Sequence, residues 1–225
     1  MKINADFSQR VVVHGDSVEW VRSPMAGVDR RPLDRIGDEV ARATTIVRYA
    51  PDSHFSPHTH DGGEEFLVLE GVFEDEHGAF PAGSYIRNPP TSRHTPGSTP
   101  GCMIFVKLWQ FDLADRSHVR IDTAKSGAVE PAGRPGIMVT PLFDDGQELV
   151  RLERWAPGTA GRVDAVGGGE LLVVEGSASE SGDALRPQSW VRVPDGGTFD
   201  VKAGKAGAVF WLKTGHLRHI TAPEA

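Results

Sequence analysis

Two histidines and a glutamate lie close together in this chain, and a third histidine follows further along. His58 and His60 are two residues apart, and alternate side chains of a strand point to the same face, so both imidazoles can reach one point. Glu64 follows the turn signal Asp61-Gly62-Gly63, and His94 ends the segment Pro89-Pro90-Thr91-Ser92-Arg93-His94. Three imidazoles and one carboxylate suit Zn, Fe, Mn, Ni or Cu and are too rich in nitrogen for Mg or Ca. The segment predicts a site for one divalent metal ion.

The spacing of these residues resembles the two sequence motifs of the cupin superfamily. The carrying pattern is His58-x-His60-x-x-x-Glu64-x-x-x-x-x-x-Gly71, then Gly83-x-x-x-x-x-Pro89-x-Thr91-x-x-His94-x-x-x-Ser98. The resemblance implies that His58, His60, Glu64 and His94 hold one metal ion inside a small β-barrel. Asp52 and Thr91 stand where the motifs have glycine, and Ser98 where they have asparagine. None of the three is a ligand position.

Several other residues compete for a role at this site. Glu65 is the alternative to Glu64, but the gap to Gly71 favours Glu64, and strand alternation sends Glu65 to the opposite face. His54 shares strand parity with His58, although Phe55-Ser56-Pro57 is expected to bend the chain between them. Cys102 reads as a small buried hydrophobe, with a redox reporter as the alternative. His216 and His219 could form a weak ion site.

Short strands separated by Gly, Pro, Asp and Asn fill the chain from Pro51 onward, which predicts an all-β fold. Leu67-Val68-Leu69-Glu70-Gly71 recurs as Leu172-Val173-Val174-Glu175-Gly176, so the chain reads as a duplication. The prediction is a double-stranded β-helix (cupin or jelly-roll barrel) in two tandem cupin lobes. Residues 1–121 are predicted to form a metal-binding lobe with an N-terminal strand extension, 122–136 a linker, and 137–225 a lobe without metal.

The second copy lacks the metal-binding residues of the first. At the offset of the repeat, the four ligand positions are occupied by Val163, Ala165, Gly169 and Phe199. Val166-Gly167-Gly168-Gly169-Glu170 lacks the ending and the helix of a phosphate loop and is read as the degenerate Gly-Gly-Glu turn. The C-terminal lobe is therefore expected to be structural, or to bind an organic ligand without metal.

Composition narrows the class of protein. The chain has 225 residues, a net charge of −7 and a single cysteine. No cluster of lysine and arginine suggests a nucleic-acid footprint, so nucleic acid is not an expected partner. No apolar run is long enough for a membrane helix, and the N-terminus does not have the pattern of a signal peptide. A lone cysteine suits a reducing compartment, and the expected location is cytoplasmic.

Nearly the whole chain resembles the ChrR-type cupins, anti-sigma factors that answer to singlet oxygen or related oxidants. The resemblance rests on Asn4–Phe7, Ser56–Phe73 and Tyr85–Pro90, and it implies zinc as the favoured ion, with Fe, Mn or Ni as alternatives. The upstream His-x-x-x-Cys-x-x-Cys segment that accompanies sigma-factor binding is not in this sequence, so a sigma factor is not expected as a partner. A small organic ligand or an oxidant is the expected partner, and a homodimer stays open.

Two functions remain open at this point. One is a sensory or regulatory cupin that responds to an oxidant or small ligand, and the other is a cupin-type dioxygenase or isomerase of a small oxygenated substrate. Four protein ligands saturate tetrahedral zinc but leave two positions on an octahedral metal. Catalytic residues are not assigned, and Tyr85, Arg87 and Glu65 are the nearest acid or base candidates. A scaffold with vestigial ligands is the third interpretation.

Overall fold

The computed structural model describes residues 1–223, which contain strands, turns and one 3₁₀ turn, Gly15–Ser17. No helix among these residues is long and apolar enough to cross a membrane. The strands, in chain order, are β1 (Lys2–Ile3), β2 (Val11–His14), β3 (Val21–Arg22), β4 (Val28–Gly37), β5 (Ala41–Tyr49), β6 (Ser53–His54), β7 (His58–His60), β8 (Glu64–Asp75), β9 (Gly78–Pro81), β10 (Ser84–Asn88), β11 (Ser92–His94), β12 (Gly97–Ser98), β13 (Cys102–Leu108), β14 (Val119–Asp122), β15 (Ile137–Asp144), β16 (Leu149–Trp155), β17 (Ala160–Ala165), β18 (Gly169–Glu180), β19 (Asp183–Leu185), β20 (Ser189–Val193) and β21 (Gly197–Thr214). The all-β prediction is confirmed.

The chain forms two compact units, each built from strands. The first contains residues 1–5 and 18–126 with 221–223, and the second contains residues 6–17 and 127–220. Residues 6–17, predicted within the first lobe, belong to the second because β2 pairs with β20 along its whole length. Arg10 reinforces this placement through ion pairs with Glu180 and Asp183. Glu224 and Ala225, the end of the predicted second lobe, lie outside the described residues.

The predicted linker, residues 122–136, is anchored rather than free. Its first residue ends β14, which pairs with β10, and the first unit continues to Ser126. Val129 forms a bridge with Val139 in the second unit. Arg134 donates two hydrogen bonds, of 2.8 and 2.7 Å, to the buried carboxylate of Glu153. Bidentate guanidinium–carboxylate pairs are strong and directional, so this end of the segment is fixed.

The first unit is built on a sheet in the order β1-β4-β5-β13-β8-β10-β14, with β7 and β11 forming a separate pair. One face of this sheet carries the core, which includes Phe66, Phe73, Ile86, Ile104 and Val106. Alternation along each strand places these apolar residues, and Glu64, on the barrel interior. The sheet therefore supplies the wall of the barrel, and the β7–β11 pair closes one side.

The second unit repeats this arrangement, which confirms the duplication. Its sheet runs β15-β16-β21-β18-β20-β2. The repeated Leu-rich segments of β8 and β18 both end in a glycine with positive φ, Gly71 at 70° and Gly176 at 74°. An added Cβ would lie 2.0 Å from the carbonyl oxygen of Gly101 in one case and 2.2 Å from that of Gly207 in the other. Only glycine tolerates both the backbone conformation and that close approach, which explains why both copies have glycine at this position.

Four of the five tryptophans divide into two environments. Trp155, Trp190 and Trp211 are fully buried in the second unit, as a core role predicts. Trp20 in the first unit instead lies between two guanidinium groups, at 4.1 Å from Arg31 and 4.4 Å from Arg48. Cation–π contacts with both guanidinium groups hold the Trp20 ring in place.

Candidate metal centre

The β7–β11 pair brings the three predicted histidines to one place. In this antiparallel pair His58 lies opposite His94, and His60 lies opposite Ser92. The ring centroids of the three imidazoles are separated by 4.8, 5.0 and 4.8 Å, with planes inclined at 71–79° to one another. The three ring centroids therefore form a nearly equilateral triangle.

Glu64 completes the cluster from the start of β8. Its Oε2 lies 3.4 Å from Nε2 of His60 and 3.6 Å from Nε2 of His94, and the two Nε2 atoms are 3.0 Å apart. His60, Glu64 and His94 are all buried, whereas His58 is half-buried. The four residues predicted from the sequence are therefore neighbours in the fold.

The second nitrogens of two rings are held by hydrogen bonds. Nδ1 of His58 lies 3.2 Å from the carbonyl oxygen of Ser56, and Nδ1 of His94 lies 3.4 Å from Oδ2 of Asp75. An imidazole that donates from Nδ1 presents a lone pair at Nε2, which is how proteins orient metal-binding histidines. The side chain of Asp75 is buried, and this residue was missed by the sequence analysis because only the fold brings it to His94.

The choice between Glu64 and Glu65 follows from strand alternation. Glu64 points to the histidines and accepts a hydrogen bond of 3.3 Å from the side-chain amide of Asn88. Glu65 lies on the opposite face and is also buried, where it accepts a hydrogen bond from Tyr85 and lies 3.6 Å from a guanidinium nitrogen of Arg87. The acid or base candidates Tyr85, Arg87 and Glu65 are thus bonded to one another, on the face away from the histidines.

The turn before Glu64 has a steric requirement for glycine. A Cβ on Gly62 would come within 2.1 Å of the Trp109 ring, and Gly63 has a φ of 76°. The strand β13 ends next to Trp109, so this ring packs directly on the turn. The two glycines allow the chain to reverse closely enough for Glu64 to return to His60.

The charges of the cluster shift the pKa values of its members. Burial raises the pKa of Glu64, but the charges of His60, His94 and His58 outweigh it, so the pKa lies below its ordinary value. Burial lowers the pKa of His60, which stays below its ordinary value despite Glu64. Burial also lowers the pKa of His94, but the hydrogen bond to Asp75 and the charge of Glu64 raise it above its ordinary value.

The donor set fits a single transition-metal ion. Nitrogen ligands lie about 2.0–2.1 Å from such an ion, so two ligands of one ion are about 3.0–3.4 Å apart for bond angles from 90° to tetrahedral. The 3.0 and 3.4 Å separations match this range, and the 3.6 Å separation from Glu64 to His94 is slightly longer. Among the described residues, His58, His60 and His94 form a group whose ligand atoms all lie within 4.8 Å of one another, close enough to hold one metal ion.

A cavity of about 300 Å³ adjoins the cluster. His58, His60 and Glu64 border one end of it, and apolar residues of β4, β5 and β13 form its walls. Tyr49, Arg30 and Arg35 also line this cavity and were missed by the sequence analysis. Burial first, and then the charge of Glu64, raises the pKa of Tyr49, so its hydroxyl stays protonated and can act as a hydrogen-bond donor.

In the second unit the corresponding space is filled by hydrocarbon. Val163 lies opposite Phe199, in the same register as His58 opposite His94. Phe199 and Ala165 are fully buried. A Cβ on Gly169 would come within 2.8 Å of the Phe199 ring and 2.9 Å of the Ala165 side chain. A carboxylate at position 169 would have no space beside the Phe199 ring. The phenylalanine in place of the histidine therefore goes together with the glycine in place of the glutamate.

The remaining candidates from the sequence lie elsewhere. His54 is exposed and lies outside the cluster of histidines. Cys102 is buried, and burial raises the pKa of its thiol to about 11, which suits a packing role rather than a reactive one. His216 lies 2.9 Å from the buried carboxylate of Glu170. That ion-pair geometry explains His216 without an ion shared with His219.

Asp75 is expected to tune the affinity of the site through His94. Asp75→Asn removes the negative charge while keeping the shape of the side chain. Because the loss of an outer partner of a ligand histidine costs metal affinity, we expect affinity to fall about 10- to 100-fold. Competition with a chelating dye measures it, with Glu70→Gln, an exposed carboxylate of the same strand β8, as the control. Equal affinity in Asp75→Asn and the parent protein would show that Asp75 does not act on His94.

The two positions that replace motif glycines keep the glycine conformation. Asp52 has a φ of 56° and Thr91 a φ of 73°. Asp enters the left-handed region more readily than most residues because its short side chain bonds locally, whereas a β-branched residue is strained there. The departure at Thr91 therefore has a cost in stability, while the backbone hydrogen bond from Thr91 N to the carbonyl of His60 is kept at 2.9 Å.

Replacing Thr91 by glycine should stabilise the protein. Relief of the left-handed strain is worth about 1–2 kcal/mol, and the greater freedom of glycine in the unfolded chain offsets about 0.4–1 kcal/mol of it. We expect a gain of about 1 kcal/mol in the free energy of unfolding, measured by denaturant titration. Asp52→Gly is the matched control and should gain less, and a loss of stability in Thr91→Gly would contradict this explanation.

Comparison with known proteins agrees with this geometry. Residues 8–112 match the family model described as the ChrR cupin-like domain. Over these residues the chain is similar to the ChrR cupin-like family. No curated protein sequence matches the chain significantly.

Solved structures show the cupin fold across both units. A dioxygenase candidate from Nostoc punctiforme has a TM-score of 0.78 at 15% identity, covering 97% of this chain and 87% of that one. The bacterial pirin YhhW from Escherichia coli, in complex with nickel(II), has a TM-score of 0.64 at 14% identity over 92% and 99% of the two chains. A cupin 2 conserved barrel domain protein from Leptotrichia buccalis has a TM-score of 0.58 at 11% identity over 91% and 95%. At these identities the likeness concerns the fold.

Proposed function

We propose that this cupin holds one divalent metal ion with His58, His60, Glu64 and His94 and binds a small organic molecule beside it. The role that follows is that of a ChrR-like sensory or regulatory cupin. The observation that carries the proposal is the cavity of about 300 Å³ bordered by His58, His60 and Glu64. A space of this kind next to convergent polar groups is typical of small-molecule sites.

The metal, when bound, supplies a Lewis acid for an oxygen of the ligand. The chain's own residues supply the rest of the site. Asp75 orients His94, Asn88 orients Glu64, and the protonated hydroxyl of Tyr49 can donate a hydrogen bond into the cavity. The apolar residues Val47, Ile104 and Val106 exclude water from the space between. Three histidines and one carboxylate accept zinc as a four-coordinate ion, and Fe, Mn or Ni with two further positions.

A response to oxidants could use either the thiol of Cys102 or the metal centre. The pKa of the thiol distinguishes between these two routes. Oxidation of cysteine proceeds through the thiolate, and a pKa of about 11 leaves almost none at neutral pH. A response to oxidants would therefore pass through the metal centre and its cavity. The lone cysteine also supports our proposal of a reducing, cytoplasmic location.

The second candidate function is a cupin-type dioxygenase or isomerase of a small oxygenated substrate. Direct access from the cavity to the ligand cluster favours it, since a purely structural ion needs no such space. Among proteins of this fold, one solved structure is of a dioxygenase candidate and another holds nickel(II). The identity of the metal separates the regulatory cupin from the dioxygenase, because zinc does not activate O₂ and iron does.

The test measures metal content and oxygen consumption on the same preparation. The protein is purified without added metal, its ions are quantified by mass spectrometry, and O₂ uptake is followed with small diketones and phenols. The regulatory proposal expects one zinc ion per chain and no uptake beyond that of a His60→Ala variant. One iron ion per chain with steady, substrate-dependent uptake would replace it with the dioxygenase.

A further inference from the structure

Two arginines share the cavity with the histidine cluster. Arg30 and Arg35 both lie on β4 and line the cavity, although five positions apart they should point to opposite faces of a regular strand. A β-bulge between Pro32 and Asp34 shifts the register against β5. The bulge changes the alternation and returns Arg35 to the interior face, and bulges commonly redirect side chains near functional sites in this way.

The strand registers place the arginines relative to Glu64. Arg35 lies opposite Ala43, Ala43 opposite Leu108, and Leu108 opposite Glu64. Arg35 and Glu64 are thus in one row, three strand spacings apart, or about 14 Å between Cα atoms at about 4.8 Å per spacing. Arg30 lies in a parallel row with Val47, Ile104 and Val68. A small molecule in the cavity can therefore touch the arginines at one end and the ligand cluster at the other.

The arginine end carries excess positive charge. Nη2 of Arg30 donates a 2.6 Å hydrogen bond to Ser23, and its Nη1 lies 3.5 Å from the exposed carboxylate of Glu39. Arg35 donates hydrogen bonds to the backbone carbonyl oxygens of Gly37 and Glu39, at 3.3 and 3.4 Å. Asp38 is engaged by the N-terminal ammonium at 2.6 Å.

Arg30 therefore contacts the carboxylate of Glu39, whereas the hydrogen bonds of Arg35 go to neutral backbone carbonyl groups. Burial first, and then the charge of Arg30, lowers the pKa of Arg35 by more than the charges of Glu39 and Asp38 raise it, which agrees with two cations held close together in a partly enclosed space. The negative groups at the other end of the cavity are Glu64 and Asp61. A divalent ion at the cluster would offset these, so the charge that needs a partner is that of the arginines.

We propose that the cavity takes a small carboxylic acid anion. Its carboxylate is bound by Arg35 and Arg30, and its hydrocarbon part lies on Val47, Ile104 and Val106. Its far end carries a keto or hydroxyl oxygen that faces the histidine cluster. Guanidinium groups match the geometry of a carboxylate, and the apolar walls select against a fully polar anion. Only the placement of the far oxygen rests on the proposed metal site; the carboxylate end stands on the arginines alone.

Calorimetric titration of the metal-loaded protein tests this with a matched pair of probes. The acid probe is 5-oxohexanoate, whose keto oxygen lies at the end away from the carboxylate, and the uncharged probe is its methyl ester. Hydrogen bonds to charged groups are worth about a tenfold to hundredfold change in affinity. We expect the acid to bind at least about tenfold more tightly than the ester, and Arg35→Gln to remove that advantage while leaving the ester unchanged. Arg35→Lys should restore part of it.

The control is Arg48→Gln, on the outer side of the sheet, where Arg48 pairs with Asp29 and stacks on Trp20. It should bind both probes as the parent does. Equal affinity for acid and ester, no effect of Arg35→Gln, or no binding of the acid would each overturn the inference. Metal content measured on the same samples keeps the two proposals apart, since Arg35→Gln should retain its ion whatever the titration shows.

Discussion

Replacing His94 by alanine should remove bound metal from the whole chain. His94 contributes one of three nitrogen ligands, and its Nε2 lies 3.0 Å from that of His60, so the remaining residues cannot close the same coordination sphere. Structural four-ligand sites bind zinc with about 10–16 kcal/mol, so the loss of one ligand is expected to cost about 3 kcal/mol or more, at least a hundredfold in affinity. Mass spectrometry after dialysis against a weak chelator measures the outcome.

The matched control for this experiment is His54→Ala. His54 is exposed, lies near the site in sequence, and is outside the histidine cluster. It should retain a full equivalent of metal under the same dialysis. An unchanged amount and affinity of metal in His94→Ala would mean that the ion is held elsewhere, and the account of the first unit would then fail.

Phe199→Ala should give the largest loss of stability without any effect on metal. Phe199 is fully buried in the second unit, in the position that corresponds to His94, and its ring contacts the space next to Gly169. Removal of a buried phenylalanine side chain costs about 3–5 kcal/mol because it leaves a cavity as well as losing burial. Denaturant titration with a probe of the second unit, such as the fluorescence of its buried tryptophans, measures the change.

Val166→Ala provides the comparison for Phe199. Val166 is 62% exposed in the turn of the same unit, so its truncation should change stability by less than about 0.5 kcal/mol. Metal content should be equal in the parent and in both variants. If Phe199→Ala were nearly as stable as the parent, or lost its metal, the interpretation that apolar side chains fill the position of the metal site in the second unit would be wrong.

The contrast between the two units explains why the sequence was informative here. His-x-His on a short strand, a Gly-Gly turn and a carboxylate are local patterns, and their side-chain directions follow from strand alternation. The loss of the same pattern in the second copy could be predicted because the register of Val163 and Phe199 repeats that of His58 and His94. The position of Glu65 on the opposite face follows from the same alternation, but its burial next to Tyr85 does not.

What the sequence did not reveal depends on contacts between distant strands. Arg35 reaches the cavity only because of the bulge after Pro32, and counting residues along β4 cannot locate a bulge. Asp75 ends the long strand β8 and meets His94 through the curvature of the barrel. The segment around Val11–His14 pairs with a strand far along the chain, and residues close in sequence gave no sign of that partner. Such long-range pairing is decided by the packing of whole sheets.

A crystal of the protein loaded with one divalent metal, with data collected at the absorption edge of that metal, tests the central claim most directly. The account predicts one anomalous peak per chain, within bonding distance of His58, His60, Glu64 and His94 and open to the cavity with Arg30 and Arg35. A peak in the second unit, or none among these four side chains, would contradict it.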